Sequence, residues 1–531
     1  PSRGLGDVYK RQVYMTFEIV FVLLSLLGMV AALIADKMRP GMILFSVVVL
    51  FLCAGILTPK EMLEGFSNKG MITVALLFLV SEGIRQSGTL GQVIKKLLPQ
   101  GKTTVFKAQL RILPSVAFIS AFLNNTPVVV IFAPIIKHWA KSVNLPATKF
   151  LIPLSYVTIL GGICTLIGTS TNLVVHGMIL EAGFEGFSMF ELGKVGIFIA
   201  IAGIIYIFLF SKRLLPDARP DTAVPDEEVE EGEKLHRVEA VLGARFPGIN
   251  KKLKDFNFQR HYGAEVKEIK TRNGQRFVSN LEEVVLHEGD TLVVMADDTF
   301  IPTWGESSVF VLLTNGNEPD TTGKKKRWFA LLLLVLMIVG ATVGELPVTK
   351  EMFPDIKLDM FFFVSITTII MAWTNLFPAR KYTKYISWDI LITIACAFAI
   401  SKAMVNSGVA DSVAKFIIGL SDDYGPHVLL AMVFIITNLF TELITNNAAA
   451  ALAFPLALSI SAQLGVSPTP FFVVICMAAS ASFSTPIGYQ TNLIVQGIGN
   501  YKFTDFVRIG LPLNIITFLI SVILIPLIWN F

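Results

Sequence analysis

Two polar interruptions within long apolar stretches limit the folds open to this chain more than any other feature. The stretches at 108–136 and 427–462 each carry a pair of asparagines near the middle, Asn124-Asn125 and Asn446-Asn447. Such a pair makes a poor centre for a single bilayer-spanning helix, because unsatisfied polar groups are costly in hydrocarbon. Each stretch is therefore predicted to form a re-entrant hairpin with the asparagines at its tip.

Ten further apolar runs have a length suited to crossing a bilayer, which takes about 20 residues of helix. They lie at 15–35, 41–58, 71–90, 150–180, 190–211, 328–345, 358–377, 388–407, 470–499 and 509–530. Only 16% of the residues are charged, against about a quarter in soluble proteins. The predicted fold class is an all-α polytopic membrane protein with about ten transmembrane helices and two re-entrant hairpins.

The charged residues concentrate in one segment. Residues 217–327 hold 21 of the 40 Asp/Glu and 16 of the 44 Lys/Arg, so a small water-soluble α/β domain is inserted into the apolar chain. The predicted organisation is a non-native leader (1–14), membrane repeat 1 (15–213), an acidic linker (214–237), the inserted domain (238–305), a second linker (306–327) and membrane repeat 2 (328–531). The net charge of +4 is too small to indicate a nucleic-acid partner.

The two membrane segments are predicted to be repeats of one another. Residues 167–177 read IGTSTNLVVHG and residues 487–497 read IGYQTNLIVQG, with seven of 11 positions identical at an offset of 320. Ser81, Ser87 and Gly88 recur at the same offset, and the tip residues Asn125 and Asn446 are 321 apart. Agreement of three separate segments on an offset of 320 or 321 indicates an inverted-repeat transporter, whose site lies where corresponding segments break.

Lys and Arg orient the predicted spans, because cytoplasmic loops are enriched in them. Ten crossings and two hairpins place every basic cluster on one side, and the first hairpin enters from the cytoplasm. The second hairpin follows Asp422 and Asp423 and enters from outside, so the two halves run in opposite directions. This predicts a multi-pass protein of the plasma (cytoplasmic) membrane whose inserted domain is cytoplasmic.

Four breaks fall in matched positions: the tips at 124–127 and 445–448, and the loops at 164–172 and 484–492. Broken helices at membrane depth must line protein or a watery cavity. Their half-helix N-termini favour an anion, while unwound carbonyls and the oxygens of Asn, Thr and Ser suit a hard cation such as Na⁺.

Structural explanations stand beside the functional one. A single Asn or Thr in a membrane helix is often no more than an interhelical hydrogen-bonding group, and His176, whose counterpart is Gln496, fits that description. Glu442 and Lys402 are candidate intramembrane charges, which point to function, or they lie at water-accessible ends of their segments. The four cysteines lie in apolar stretches without metal-type spacing, which argues against a disulfide framework.

At these tips and loops the chain resembles the divalent-anion/sodium symporter (citrate-transporter-like) superfamily, in which two Ser-Asn-Thr tips face two Thr-Pro loops and clamp substrate and Na⁺. The resemblance covers both membrane halves. It implies a homodimer with Na⁺ as coupling ion and no other cofactor. The implied substrate-binding residues are Asn124, Asn125, Thr126, Thr165, Thr445, Asn446, Asn447, Thr485 and Pro486. The implied Na⁺ ligands are Asn125, Cys164, Thr165, Gly168, Asn446, Ser484, Thr485 and Gly488. The chain departs from the family pattern at Asn124, Leu166, Thr445 and Asn447.

The insert resembles another module. Its pattern LKDFNFQRHYGAEVKEIKTRNG…VLHEGDTLVVMA is similar to the RCK C-terminal (TrkA-C) domain, a small cytosolic domain that senses ligands. The resemblance implies a small-molecule effector. The insert has no GxGxxG sequence, so no nucleotide-binding Rossmann half is inferred.

Taken together, the sequence predicts a secondary active transporter that imports a small anion, sulfate or a di- or tricarboxylate, with Na⁺. No motif argues for an enzyme. Two alternatives remain open: a K⁺ or other cation transport system regulated by the insert, and a non-transporting membrane sensor.

Overall fold

The computed structural model describes residues 2–35, 38–99, 101–217, 236–243, 246–271, 275–297, 309–314, 324–353, 356–419 and 425–531, together with Phe300 and Trp304. Asp422 and Asp423, and the acidic run at 226–233, lie outside the described residues. Helices account for both membrane halves, and the strands come from the insert.

The longer helices of the first half are α1 (Ser2–Ala35), α2 (Pro40–Cys53), α3 (Lys69–Gln86), α4 (Thr89–Leu97), α5 (Val105–Ser120), α6 (Asn125–Ser142), α7 (Leu151–Gly162), α8 (Ser170–Glu181) and α9 (Gly193–Leu214). Those of the second half are α10 (Lys324–Gly344), α11 (Met360–Trp373), α12 (Trp388–Asn406), α13 (Val409–Gly419), α14 (Gly425–Leu443), α15 (Asn446–Leu464), α16 (Thr469–Ser480), α17 (Gln490–Gly499) and α18 (Phe503–Ile528).

Eight helices in the described part of the chain are long and apolar enough to cross a membrane. Their outward faces are apolar too. Along α18, every fourth residue is an aliphatic side chain that is half exposed or more: Leu511, Ile515, Leu519, Ile523 and Leu527. A continuous apolar stripe of this size would be unfavourable in water, and lipid is its natural surrounding. The protein is therefore polytopic in a membrane.

Both Asn-containing stretches are helical hairpins, and two of the predicted spans are broken. α5 and α6 flank the first tip, and α14 and α15 flank the second. The run at 150–180 is α7 and α8 with a loop between them, and the run at 470–499 is α16 and α17 with the equivalent loop. A matched turn recurs outside the site: Gly88 and Gly408, at φ of 69° and 74°, separate α3 from α4 and α12 from α13.

The insert folds around a five-stranded sheet of order β3-β2-β4-β1-β5, in which every described pair is antiparallel. The strands are β1 (His236–Leu242), β2 (Glu265–Lys270), β3 (Arg276–Phe277), β4 (Thr291–Ala296) and β5 (Phe310–Thr314). β1 begins two residues before the predicted bounds of 238–305, in the segment predicted as the acidic linker. β5 lies wholly in the predicted second linker, where its short apolar run gains backbone hydrogen bonds from β1.

Loops that the charge pattern assigns to one side contact each other. On the predicted outer side, Lys69 forms an ion pair with Asp359. On the predicted cytoplasmic side, the buried Lys149 ammonium donates to the carbonyl oxygens of Lys212 (2.7 Å) and Leu215 (2.5 Å). These are contacts that the predicted sidedness requires, and the orientation itself remains a prediction.

The orientation predicts a difference in thiol labelling between two exposed positions. In a background without the four native cysteines, Glu185→Cys is expected to react with an impermeant maleimide in intact cells, because its loop faces outward. Lys381→Cys is expected to react only after the membrane is permeabilised. Labelling of Lys381→Cys but not Glu185→Cys in intact cells would reverse the assigned orientation.

Candidate functional site

Four helices begin inside the matched breaks. α6 begins at Asn125, α8 at Ser170, α15 at Asn446 and α17 at Gln490, and in all four the preceding side chain makes no capping hydrogen bond. A helix start without a cap leaves backbone N–H groups unsatisfied, and the helix dipole adds partial positive charge there. Ends of this kind favour a bound anion.

Each hairpin tip reaches the loop of its own half through an asparagine. The surrounding hydrogen-bond network orients the Asn125 amide so that its nitrogen donates to the carbonyl oxygen of Gly168 at 3.3 Å. In the second half, the Asn446 amide nitrogen donates to the carbonyl oxygen of Gly488 at 3.0 Å. The two contacts involve residues that the sequence repeat pairs.

A threonine holds each loop in shape. The hydroxyl of Thr165 accepts from the backbone N–H of Gly168 (3.2 Å), and that of Thr485 accepts from the N–H of Gly488 (3.3 Å). Neither glycine position has room for a side chain. A Cβ at Gly488, for example, would lie 2.5 Å from the carbonyl oxygen of Thr441. The predicted residues of each loop are thus packed directly against its own hairpin.

The tips also bond across the repeats. The Thr126 hydroxyl donates to the side-chain oxygen of Gln490 at the start of α17 (3.3 Å). Correspondingly, the side-chain oxygen of Asn447 accepts from the hydroxyls of Ser170 (3.4 Å) and Thr171 (3.3 Å) at the start of α8. The structure thereby brings both predicted tips and both predicted loops together at one place.

Tyr489 also belongs to the site where the tips and loops meet, and the sequence analysis missed it. Its buried hydroxyl donates to the Asn125 side-chain oxygen (2.5 Å) and lies 3.0 Å from the Thr169 hydroxyl. One oxygen atom of the second loop therefore reaches both the tip and the loop of the first half. The signal was available: Tyr489 stands opposite Thr169 inside an otherwise similar repeat motif.

Asn172 and Asn492 were missed as well. Both are fully buried, and each closes its loop by donating from its side chain to the carbonyl oxygen of the loop threonine. The distances are 2.9 Å from Asn172 to Thr165 and 3.1 Å from Asn492 to Thr485. Their presence in the shared TNL sequence of the repeats was the available signal.

The remaining predicted residues differ in their placement. Asn124 and Thr445 immediately precede α6 and α15, and the buried Thr445 hydroxyl has no hydrogen-bond partner. Pro486 is buried within its loop. The Cys164 thiol does not bind the tip. It donates to the carbonyl oxygen of Leu160 (3.3 Å).

The Glu442 carboxylate binds the backbone of the second loop. Its carboxylate accepts from the backbone N–H groups of Ser484 and Thr485, each at 2.9 Å, and from the Asn514 side chain at 2.7 Å. The Asn514 amide also donates to the Ser484 hydroxyl (2.9 Å). The corresponding position of the first half is Ala121, so among the described residues a charged side chain holds the second loop and none holds the first.

The other two singled-out residues lie apart from the tips. The Nδ1 atom of His176 accepts from the backbone N–H of Phe187 (3.0 Å), which is a structural contact. Lys402 is exposed near the end of α12.

Removal of the Glu442 carboxylate is expected to destabilise the second loop. Glu442→Ala leaves the amides of Ser484 and Thr485 without their acceptor, at about 1–3 kcal/mol for each unsatisfied group. The Tm of the purified protein should fall by several degrees, and less in Glu442→Gln, which keeps one acceptor oxygen. Glu185→Ala, at an exposed loop position, is the matched control. A Tm for Glu442→Ala equal to that of the control would contradict this role.

Comparison with known proteins places these features in a family. The family model described as citrate transporter matches residues 30–462 and 357–531. An uncharacterized transporter of Synechocystis sp. is 30% identical, covering 91% of this chain and 93% of its own. A putative sulfur deprivation response regulator of Chlamydomonas reinhardtii is 28% identical (90% and 96%), and a probable sodium/sulfate cotransporter 3 of that organism is 23% identical (91% and 85%).

The family match spans both membrane halves, including all four helix starts, and the relatives cover nearly the whole chain. The names of the family and of two of these three relatives are those of transporters, not of enzymes. The chain belongs to the citrate transporter family.

Proposed function

We propose that this protein is a secondary active transporter that imports a small anion together with Na⁺ by alternating access. The observation that carries the proposal is the meeting of four uncapped helix starts, linked by the Thr126–Gln490 and Ser170–Asn447 hydrogen bonds. Their N–H groups supply partial positive charge without a fixed cation. An anion bound there can therefore leave again, as transport requires.

Sodium is supported by the oxygen atoms around each tip. Na⁺ is a hard cation, and the tips and loops offer amide, hydroxyl and carbonyl oxygens rather than thiolates. Two acceptors are buried without a hydrogen-bond partner, the Thr445 hydroxyl and the Asn172 side-chain oxygen. A bound cation would satisfy such oxygens. We assign one Na⁺ to each tip–loop pair, with Asn125 and Gly168 in the first and Asn446 and Gly488 in the second.

The matched contacts of the two halves favour alternating access. If the halves are inverted repeats, the site lies on their pseudo-twofold axis and can be opened to either side by exchanging the conformations of the halves. The first hairpin then controls the cytoplasmic side and the second hairpin the outer side.

Sulfate is the first candidate substrate, because relatives over much of the chain carry the name sodium/sulfate cotransporter. Di- and tricarboxylates are the second candidate substrates, because the family model is described as citrate transporter. Cation transport under control of the insert and non-transporting sensing are the alternatives. Uptake into proteoliposomes under separate Na⁺, H⁺ and K⁺ gradients distinguishes all of them.

We further propose that the insert, as an RCK C-terminal-like domain, regulates transport, and its contacts support this role. Glu239 of β1 binds the Lys137 ammonium near the end of α6 with both carboxylate oxygens at 2.9 Å, and Lys270 of β2 at 3.4 Å. Burial raises the pKa of Glu239, but the two ammonium groups outweigh it and lower that pKa to about 2. The pair is therefore fully charged above the ordinary value of 4.5 and weakens only as the pH falls towards 2.

The insert also lies against α17. A small cavity between them is lined by Val241, Leu242, Glu288, Gly289, Gln490, Leu493 and Ile494. A Cβ at Gly289 would lie 3.3 Å from Leu493, and one at Gly497 would lie 2.5 Å from the Thr291 hydroxyl. The domain thus contacts α6 and α17, two of the four helices that begin at the site. An effector bound to the domain, or a second copy of the chain in a dimer, can act on transport through them.

The tips are expected to be essential for uptake. Asn125→Ala and Asn446→Ala each remove an amide at the centre of a tip–loop pair, and a loss of about 1.4 kcal/mol of binding lowers affinity tenfold. Sodium-driven anion uptake should fall at least tenfold in each variant at equal protein level. Ser115→Ala, at a half-buried position of α5 whose hydroxyl donates to the carbonyl oxygen of Arg111 in the same helix, is the control. Wild-type uptake by both asparagine variants would exclude the tips as the site.

The insert is expected to set the rate and not the selectivity. Replacement of residues 236–314 by a flexible linker should change the rate of uptake. Typical coupling free energies correspond to a change of about 5- to 150-fold. The replacement should leave the ranking of anions and the ion dependence as in wild type. Glu239→Gln should change the rate in the same direction, whereas Glu265→Gln, in an exposed ion pair with Lys267, should not. A folded deletion variant that carries a different anion would contradict this division.

A further inference from the structure

The largest difference in side-chain size between the two repeats at the site is at one position. Thr169 precedes α8 in the first half, and Tyr489 precedes α17 in the second. Every other paired position of the tips and loops carries side chains of more similar size, and the two glycines are identical. An aromatic ring at this one place makes a near-symmetric site asymmetric.

Tyr489 reaches the centre of the site rather than its edge. Its backbone is extended (φ −133°, ψ 130°), and its side chain is buried. The hydroxyl contacts Asn125 of the first tip at 2.5 Å and Thr169 of the first loop at 3.0 Å, although Tyr489 belongs to the second loop. The ring therefore occupies space between the two halves, where a substrate shared by both must bind.

We propose that Tyr489 determines the size of the transported anion and selects a compact oxyanion such as sulfate over an extended di- or tricarboxylate. The inference rests on the transport function proposed above. The ring removes room that a longer carbon chain would need. The hydroxyl, a hydrogen-bond donor with rotational freedom, turns from Asn125 to an oxygen of the anion.

The chemistry of the site agrees with a small, highly charged oxyanion. The tips carry short polar groups at helix starts, including Asn124, Thr126 and Asn447. Among the residues that form the tips and loops, 121–127, 164–172, 441–448 and 484–492, Glu442 is the single charged one, and its carboxylate is directed to its own loop. A tetrahedral anion can accept hydrogen bonds from several directions at one point, which an elongated dicarboxylate cannot.

Two substitutions separate the hydroxyl from the ring. Tyr489→Phe keeps the ring and is expected to raise the KM for sulfate about tenfold, because a hydrogen bond to a charged group is lost. Its preference for sulfate over succinate should persist. Tyr489→Thr gives both halves the same residue and opens the space of the ring. Its ratio of succinate to sulfate uptake should rise at least tenfold.

The measurements are KM and maximal rate for radiolabelled sulfate and succinate in proteoliposomes of the full chain. Tyr206→Phe is the matched control, because its buried hydroxyl donates to the carbonyl oxygen of Ile509 (3.0 Å) between α9 and α18. Its kinetics should equal those of wild type.

The assignment is overturned if wild type prefers succinate, if Tyr489→Phe keeps the KM for sulfate within twofold, or if a folded Tyr489→Thr keeps the wild-type ratio. If Tyr489→Thr does not fold, Tyr489→Phe alone decides. Wild-type protein that takes up neither anion under any gradient refutes the transport function itself, and the role of Tyr489 with it. Wild-type transport with unchanged variants refutes only the role of Tyr489.

Discussion

The structure depends on one constraint: a backbone that breaks inside a membrane must find partners for its N–H and C=O groups within the protein. This chain breaks in four places, and each break is closed by polar side chains. The amides of Asn172 and Asn492 bind loop carbonyl oxygens, and Asn125 and Asn446 bind those of Gly168 and Gly488. The helix starts are left without side-chain caps. The groups that remain unpaired are thus the ones suited to an anion, so the same constraint that shapes the fold also shapes the proposed site.

The differences between the halves are as informative as their similarity. The shared residues are those that close the breaks, because both halves meet the same backbone problem. The residues that differ between the halves also have different neighbours in each half. Glu442 holds the second loop where the first half has Ala121, and Tyr489 extends to the centre where the first half has Thr169. In the described part of the chain, the insert contacts α6 of the first half and α17 of the second.

Contacts of this kind suggest how a soluble domain can influence a membrane site without entering it. From Asn125 to Lys137, α6 runs about 18 Å at 1.5 Å per residue, with Pro134 inside the helix. The ion pair of Lys137 with Glu239 is therefore connected to the tip along a single helix. On α17 the insert lies closer to the first tip. The same residue, Gln490, accepts a hydrogen bond from Thr126 and lines the cavity between α17 and the insert.

The sequence alone determined the membrane class, the two hairpins, the broken spans and the tip and loop residues. These follow from local causes: the length of an apolar run, an Asn pair within it, and a motif repeated at a fixed offset. It did not determine the extent of the inserted sheet, because a short apolar run such as β5 becomes a strand only when β1 is present to pair with it. Nor did it determine the contacts of Tyr489 or those of Glu442. Their partners lie 364 residues away at Asn125 and 72 away at Asn514, and contacts over such separations exist only once the helices have packed.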